Sequence, residues 1–347
     1  MKVNNLPSVL VTSVGAPPGL NALRSLFESG EFELVAADAN KFSPGLYQYT
    51  SNNFILPYAS EATLYKTQLK KAINKFNIKV IIPCIEEEVI LISSFVDELK
   101  IMGVNLLLPP NNLILKASNK EISTHIAREN KISCPLTLYL NSNLTLNEKL
   151  YRLNSFLNDC PFPLIFKPVF GHGMKGIMTI ESLASALEAL PSLNQDYIVQ
   201  EFIPGKIGSM YLVGLLYDEE SKVVQRFSSR SIRTLYPSGG PATAGISQSS
   251  PELIDRTEFL ISKIGNWVGP LNVEWMLDPR DNEFKFIEIN PRLWGYGYLA
   301  TASGINFARD IAKLALKKEI IKNIPFKEGV TLIRSIVDIT FSKTPIK

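Results

Sequence analysis

Short apolar runs alternate with amphipathic stretches through the first 110 residues, and this alternation restricts the fold more than any other feature of the sequence. Strands are predicted at Val9–Ser13, Glu33–Asp38 and Val80–Cys84, and an amphipathic helix at Leu64–Phe76. Strands that alternate with helices at this spacing form a parallel sheet with helices on both faces. We therefore predict an α/β protein whose leading domain ends near a further strand at Leu106–Leu108, where two prolines follow.

The chain beyond this point predicts a different arrangement. A helical pattern runs from Leu113 to Asn130, with Ser118 as the predicted N-cap. Hairpin-like strands then predominate, interrupted by a helix around Leu183–Leu190. These strands are predicted at Leu164–Pro168, Gly176–Ile180, Tyr197–Glu201, Ser209–Gly214, Lys222–Gln225, Leu271–Leu277 and Glu283–Ile289.

The composition argues against several classes of protein. The chain has 347 residues and a formal charge of +3, which is too balanced for a nucleic-acid-binding surface. We find no apolar run of membrane-spanning length and no apolar core of a signal peptide, so we expect a cytoplasmic protein that does not bind membranes. Three cysteines without a C-x-x-C pair, together with only two histidines, argue against zinc sites and His-based triads.

Two glycine-rich segments are candidates for binding phosphate. The first, Gly15–Gly19, lies at a strand-to-helix turn, with Asp38 about twenty residues downstream, as in dinucleotide-binding sites. The match is partial, because the third glycine is missing and two prolines intervene. A tight turn of the leading domain explains the segment better, and an NAD-dependent oxidoreductase remains an alternative.

The second segment, Gly171–Gly176, is a G-x-G-x-x-G sequence between two predicted strands. A glycine-rich β-hairpin can fold over a nucleoside triphosphate, because glycine lets backbone N–H groups approach the phosphates. Lys167 lies on the strand that enters this segment and would bring a cation to the same phosphates. A plain hairpin turn with an exposed lysine is the alternative.

Two glutamates in apolar strands give the stronger signal. Glu274 and Glu288 are flanked by Val, Trp and Ile, where a carboxylate is costly unless a cation or hydrogen bonds stabilise it. The period of a strand places Asn290 and Arg292 on the face of Glu288, and pairing of the two strands would bring Glu274 beside it. Two carboxylates and an amide oxygen suit Mg²⁺, whereas an ion-paired structural strand is the alternative.

These motifs resemble the ATP-grasp superfamily, and most closely ligases similar to those of carbamoyl-phosphate synthesis and pyrrolysine biosynthesis. The resemblance rests on Lys120, Lys167, Gly171–Gly176, Gln200–Ile203 and Glu288–Arg292, in this order. It implies an ATP-grasp fold in three parts. These would be a Rossmann-like pre-ATP-grasp domain at 1–110, a linking helix and small lid at 111–203, and a large subdomain with the metal and substrate site at 204–347.

The resemblance also implies residue roles. The nucleotide would be bound by Lys120, Lys167, Gly171, His172, Gly173, Met174, Gly176, Gln200, Glu201, Phe202 and Ile203, with Glu201–Ile203 as the hinge at the adenine. One or two Mg²⁺ ions, or Mn²⁺, would be held by Glu274, Glu288 and Asn290. Arg292 would stabilise the transferred phosphoryl group. Arg230 and Arg233, before a loop at Gly239–Ala242, would receive the acyl substrate.

The implied activity is an ATP-dependent carboxylate–amine ligase that forms an acyl phosphate and then an amide. Its partners would be a small-molecule carboxylate and an amine, and a homodimer is left open. Phosphotransfer without an amine acceptor, or nucleotide binding without turnover, are alternatives. Gly208 departs from the acid that many relatives use to bind the ribose. Glu86–Glu88 could meet an amine, although a charged helix N-terminus explains this run better.

Overall fold

Three β-sheets organise the chain in this computed structural model, which describes residues 6–171, 174–205, 208–236, 239–335 and 338–340. The first sheet is parallel and has the strand order β3-β2-β1-β4. Its elements follow the chain as β1 Ser8–Val11, α1 Pro17–Ser29, β2 Glu33–Asp38, β3 Asn53–Ile55, α2 Ala62–Phe76, β4 Ile78–Ile82, α3 Glu86–Ser93 and α4 Val96–Ile101. The alternation of strands and helices in the sequence therefore predicted this sheet correctly.

Two helices, α5 Asn111–Ser118 and α6 Lys120–Glu129, connect the parallel sheet to the rest of the chain. The helical pattern predicted from Leu113 to Asn130 is confirmed, but it is divided into two helices at Asn119. Asn119 breaks it with an extended backbone, and its side chain accepts the backbone N–H of Ile122 at 2.9 Å. Asn119, and not the predicted Ser118, is thus the N-cap of α6, and the hydroxyl of Ser118 is buried without a hydrogen-bond partner among the described residues.

The second sheet is antiparallel, with the order β5-β8-β6-β7. Its elements are β5 Thr137–Leu140, α7 Leu146–Leu157, β6 Leu164–Pro168, β7 Met178–Ile180, α8 Leu183–Ala189 and β8 Tyr197–Glu201. Helices α7 and α8 pack on this sheet around Leu153, Phe166 and Val199 to form a small core of its own.

The third sheet has the order β13-β12-β9-β10-β11-β14. Its elements are β9 Met210–Tyr217, β10 Val223–Tyr236, β11 Gly239–Ser247, α9 Pro251–Ile264, β12 Gly269–Asp278, β13 Glu283–Asn290, α10 Tyr298–Ala302, α11 Phe307–Ala315 and β14 Thr331–Ile333. One face packs on α9 through Trp275 and Phe286, and the other faces the parallel sheet through Phe227 and Trp294. This second contact places the carboxyl ends of the parallel strands beside the third sheet.

Two further predictions from the sequence are wrong. The expected strand at Leu106–Leu108 is reduced to one bridge, between Asn105 and Val80, before Pro109 and Pro110 lead into α5. The expected loop at Gly239–Ala242 is instead the start of β11. Pro241 lies outside the stretch at residues 244–246 that pairs with β14, where a missing backbone N–H would interrupt the ladder.

The two candidate caps of α6 lead to a testable difference. Asn119→Ala removes the hydrogen bond to Ile122, so we expect the free energy of unfolding to fall by about 1 kcal/mol. Ser118→Ala removes a buried hydroxyl that has no partner among the described residues, and should leave stability unchanged or slightly raised. Urea unfolding of both variants measures this, and a larger loss for Ser118→Ala would contradict the assignment of the cap.

Candidate nucleotide and metal site

Glu274 and Glu288 lie directly opposite each other on β12 and β13, as the sequence predicted. Asn272 and Asn290 form the next pair along the same two strands. A β-bulge at Ile287 interrupts the register, so that Phe286 pairs with Trp275 and turns into the core on the α9 side. Strict alternation would have left Phe286 beside Glu288, and the bulge is what separates the ring from the carboxylates.

The two carboxylates differ in their electrostatic surroundings. Burial and the neighbouring charge of Glu288 raise the pKa of Glu274 to about 7. Burial also acts on Glu288, but the positive charges of Lys120 and Lys167 outweigh it and lower the pKa of that carboxyl. The side chain of Glu288 is 23% exposed and lies 3.7 Å from the Nζ of Lys120. The pair therefore brings concentrated negative charge to a cleft that also holds two cations.

Both candidate lysines are buried beside this pair. Lys120 is the first residue of α6 and donates from Nζ to the carbonyl of Gly171 at 2.7 Å. Lys167 lies on β6, and burial lowers its pKa to about 8, although the carboxylates of Glu288 and Glu274 act in the opposite direction. An anionic ligand beside Lys167 would stabilise its charged form and offset the effect of burial.

The glycine-rich segment joins β6 to β7 in an antiparallel hairpin, as predicted. Gly171, Met174 and Gly176 all have positive φ angles, of 135°, 71° and 75°. A side chain on Gly176 would approach Pro168 to 2.9 Å, so glycine is required there by space as well as by conformation. His172 and Gly173 lie outside the described residues.

The hinge residues are engaged in two different ways. Gln200 is buried and donates to the hydroxyl of Thr137 at 2.9 Å. The carboxylate of Glu201 accepts from Arg280 at 2.6 Å and from the backbone N–H of Leu136 at 3.1 Å. The side chain of Glu201 is therefore held by the protein itself.

The residues that follow extend the hinge toward the third sheet. Phe202 is half-buried and Ile203 buried, and the carbonyl of Ile203 accepts from Gly205 at 2.7 Å. The thioether of Met276 lies against Gly205, where the position of a Cβ would be 3.1 Å from its sulfur. Met276 was missed by the sequence analysis, although its place two residues after Glu274 puts it on the same face of β12.

The structure brings one of the three predicted arginines into the site. Arg292 donates to Asn290 Oδ1 at 2.8 Å and to the carbonyl of Leu293 at 2.9 Å, while its Nε has no partner among the described residues. Asn290 in turn donates to Glu288 at 3.1 Å. The three side chains thus form a connected row at the end of β13.

The register of β10 places the other two arginines elsewhere. Ser229 pairs with Leu212, which pairs with Glu274, so Ser229 and not Arg230 shares the face of the carboxylates. Arg230 pairs with Tyr211, a residue of the core on the α9 side. Arg233 is exposed and donates to the hydroxyl of Thr243 at 2.9 Å. The structure therefore does not bring Arg230 and Arg233 together with Glu288.

The first glycine loop is filled by the protein itself. The carboxylate of Asp38 accepts from the backbone N–H of Gly15 at 2.7 Å and from the hydroxyl of Ser43 at 2.7 Å. A Cβ on Gly15 would lie 2.2 Å from that hydroxyl, and one on Gly19 2.3 Å from the carbonyl of Ser13. Both glycines allow the chain to pack closely on itself. The carboxylate of Asp38 is already bound by Gly15 and Ser43, so it is not free to bind the ribose of NAD.

The three glutamates at the start of α3 have different surroundings. Glu87 is exposed, whereas Glu86 and Glu88 are each only 5% exposed. Glu88 accepts from Thr12 at 2.5 Å, from Ser13 at 2.8 Å and from Tyr65. The run does begin a helix, as favoured from the sequence, but two of its members are buried at the carboxyl ends of β1 and β4.

Groups of three or more His, Cys, Asp and Glu side chains that could hold a metal ion are absent from the described part of the chain. The acidic pair at Glu274 and Glu288, with Asn290, comprises two carboxylates and one amide oxygen. None of the described helices is long and apolar enough to cross a membrane.

Comparison with known proteins places these features in a family. A curated relative, the D-aspartate ligase of Enterococcus faecium, is 24% identical over 315 residues, which cover 84% of this chain and 71% of that protein. The crystal structure of L-amino acid ligase from Bacillus licheniformis superposes with a TM-score of 0.65 and 16% identity over 91% of this chain and 75% of that one. N5-carboxyaminoimidazole synthetase from Staphylococcus aureus, complexed with ADP, superposes with a TM-score of 0.73 and 12% identity over 96% and 84% of the two chains.

The family itself is established by the central part of the sequence. Residues 117–296 match the ATP-grasp domain, and this stretch is more than half of the chain. It contains both lysines, the glycine hairpin, the hinge and the acidic strand pair. The chain belongs to the ATP-grasp family.

Proposed function

We propose that the protein is an ATP-dependent ligase that activates a carboxylate as an acyl phosphate and joins it to an amine. The observation that carries this proposal is the convergence of Glu274 and Glu288 with Lys120, Lys167 and Arg292. Two carboxylates suited to a cation, facing three basic side chains suited to phosphate, form the charge pattern that phosphoryl transfer requires.

The proposed nucleotide lies between the second and third sheets. Its adenine packs against Met276 and meets the backbone at Ile203, because the carboxylate of Glu201 is already bound by Arg280. Its phosphates extend toward Lys167 and Lys120. Gly208 has a φ of 92° and no side chain, so the acid that many relatives place at this position is replaced by bare backbone.

The residues present fit a magnesium ion. Glu274 and Glu288 provide adjacent carboxylates, and Asn290 Oδ1 accepts from Arg292 while keeping a second lone pair. These three residues would hold the ion, which when bound neutralises the charge on the β- and γ-phosphates. Arg292 remains free to bind the transferred phosphoryl group through its unpartnered Nε.

The proposed chemistry has two steps. A carboxylate oxygen of the first substrate attacks the γ-phosphorus of ATP, the bond to the β-phosphate oxygen breaks, and ADP leaves. The nitrogen of the neutral amine then attacks the acyl carbon, the bond from that carbon to the phosphate oxygen breaks, and inorganic phosphate leaves. The proton that the nitrogen loses passes to the departing phosphate or to water. The protein contributes position and preorganised charge, and no covalent intermediate with a side chain is needed.

Amino acids are the proposed substrates. The relatives that support this are a D-aspartate ligase and an L-amino acid ligase, each of which is named for an amino-acid substrate. Both resemble this chain over most of its length. A phosphotransferase without an amine acceptor is the second candidate, and the experiment below separates the two.

A pairwise screen of amino acids with Mg-ATP tests the proposed function. D-aspartate, D-alanine and the common L-amino acids are combined in pairs, and ADP, phosphate and ligated product are measured. We expect ADP to form only when one particular carboxylate is present. We expect amide to form only when an amine is added as well. ADP release with a phosphorylated carboxylate and no amide from any pair would favour the phosphotransferase, and no substrate-dependent ADP would contradict both.

A matched pair of variants tests whether the activity measured in this screen depends on the paired carboxylates. Glu288→Gln removes one of the paired carboxylates, so we expect turnover to fall by about a hundredfold or more, equivalent to about 3 kcal/mol. Glu283→Gln removes an exposed carboxylate from the same strand and should retain full turnover. Equal activity of the two variants would show that the acidic pair is not the site.

The pKa of Lys167 predicts a pH dependence. Its ammonium is charged below about pH 8 and loses its proton as the pH rises through that value, so kcat/KM for ATP should fall above about pH 8. Lys167→Arg keeps its charge over this range, so the fall should be removed even if the absolute rate is lower. Steady-state kinetics between about pH 6 and 10 measure both profiles. If kcat/KM for Lys167→Arg declined over the same pH range, the decline would have to come from the titration of another group.

A further inference from the structure

Glu86 is a buried residue whose carboxylate has no partner among the described residues. It is 5% exposed, and its side chain makes no hydrogen bond and no ion pair within the described part of the chain. Glu88 is buried to the same extent but accepts hydrogen bonds from Thr12, Ser13 and Tyr65. Glu88 is therefore satisfied by the fold, whereas the carboxylate of Glu86 has no protein partner among the described residues and, unlike the hydroxyl of Ser118, is not closed off from solvent.

The position of Glu86 ties it to the proposed site. It begins α3, directly after the carboxyl end of β4, and α3 packs against α5, which packs against β13. Burial is the main influence on the Glu86 carboxyl and raises its pKa to about 7, while the charges of Lys120 and Arg292 lower the pKa and those of Glu288 and Glu87 raise it. Glu86 therefore lies within electrostatic range of the residues that we assign to the metal and the transferred phosphate.

The neighbouring cations are engaged with other groups, apart from the Nε of Arg292, which we assign to the transferred phosphoryl group. Lys120 donates to the carbonyl of Gly171 and lies 3.7 Å from Glu288, and Arg292 donates to Asn290 and to the backbone of Leu293. With a nucleotide bound, both would also face phosphate oxygens, which attract them more strongly than a carboxylate does. Glu86 would then be left as a negative charge beside the acyl phosphate, with a cationic ligand as its remaining source of stabilisation.

A single carboxylate fits an organic ammonium better than a metal ion. Metal sites in proteins gather several oxygen or nitrogen ligands, and no such group of acidic, His and Cys side chains includes Glu86 among the described residues. An ammonium group needs one strong anionic acceptor and can complete its hydrogen bonds with backbone carbonyls and water. The second substrate of the proposed reaction carries this group.

We propose that Glu86 binds the ammonium group of the amine substrate and places its nitrogen beside the acyl phosphate. One proton passes from the ammonium group to the Glu86 carboxylate or to water before the nitrogen attacks, because only the neutral amine carries a lone pair. This inference rests on the proposed ligase function and deepens it, because it assigns the acceptor as an amine that arrives protonated, such as the α-amino group of an amino acid. The leading domain then contributes a residue to the active site. Glu86, directly after β4 of the parallel sheet, holds the amine substrate beside the third sheet.

The test compares a protonated amine with a neutral one in the same variants. The carboxylate and amine pair with the highest amide yield in the screen is used, and hydroxylamine, which is largely uncharged at neutral pH, replaces the amine in a parallel assay of hydroxamate formation. For Glu86→Gln we expect the KM for the amine to rise by about tenfold to a hundredfold, the usual effect of losing a charge-assisted hydrogen bond. Hydroxamate formation and the KM for ATP should stay within about twofold of the unmodified protein.

Three control variants separate binding from folding. Glu86→Asp retains the charge and should recover part of the affinity for the amine. Glu87→Gln changes the exposed neighbour and should leave the KM for the amine unchanged, and Glu88→Gln should lower thermal stability without a selective effect on the amine. An unchanged KM for the amine in Glu86→Gln, or equal losses with the amine and hydroxylamine, would overturn this assignment. Failure of the proposed function itself is distinguishable, because the unmodified protein would then form no amide from any pair, whether or not hydroxamate appears.

Discussion

The opposition of Glu274 and Glu288 across two paired strands is the interaction on which the rest of the site depends. Two carboxylates side by side repel each other, and burial adds to the cost, which is reflected in the raised pKa of Glu274. The protein offsets part of this cost with Lys120 and Lys167, each brought in by a different element. A metal ion with a polyphosphate is the ligand that this arrangement of charge is suited to bind.

The fold explains how these groups reach one cleft. The third sheet supplies the carboxylates and Arg292, the second sheet supplies Lys167 and the glycine hairpin, and α6 supplies Lys120. The extended residue at Asn119 separates α5 from α6, and this break allows α6 to begin at Lys120 against β13. The parallel sheet closes the opposite side, because Trp294 packs on Phe227 and α1 lies against the segment that follows Arg292.

Much of this arrangement could be predicted from the sequence, since it depends on local patterns. The acids on β12 and β13 are separated by a short turn, so pairing of their strands and proximity of the two carboxylates could be predicted, whereas their direct opposition also requires the bulge at Ile287. The faces of longer strands could not be predicted in this way. Arg230 and Ser229 are adjacent on β10, and only the register with β9 shows that the serine shares the face of Glu274. The bulge at Ile287 likewise depends on packing of Phe286 against Trp275.

Other residues of the site depend on contacts between distant parts of the chain. The run Glu86–Glu88 consists of three residues of the same type, so the sequence does not distinguish them. Their surroundings differ because the ends of β1 and β4 meet the third sheet. Met276 reaches the hinge because Gly205 approaches β12 from the second sheet. No periodicity within a single segment could identify these contacts.

The central claim is that a carboxylate oxygen attacks the terminal phosphate of ATP at this site. The most direct measurement uses a carboxylate substrate labelled with heavy oxygen in both carboxyl positions and determines the isotope content of the released phosphate by mass spectrometry. The account predicts that each phosphate released during ligation carries one labelled oxygen from the substrate. Phosphate without label, released while the amide forms, would contradict activation as an acyl phosphate and with it the role assigned to the paired carboxylates.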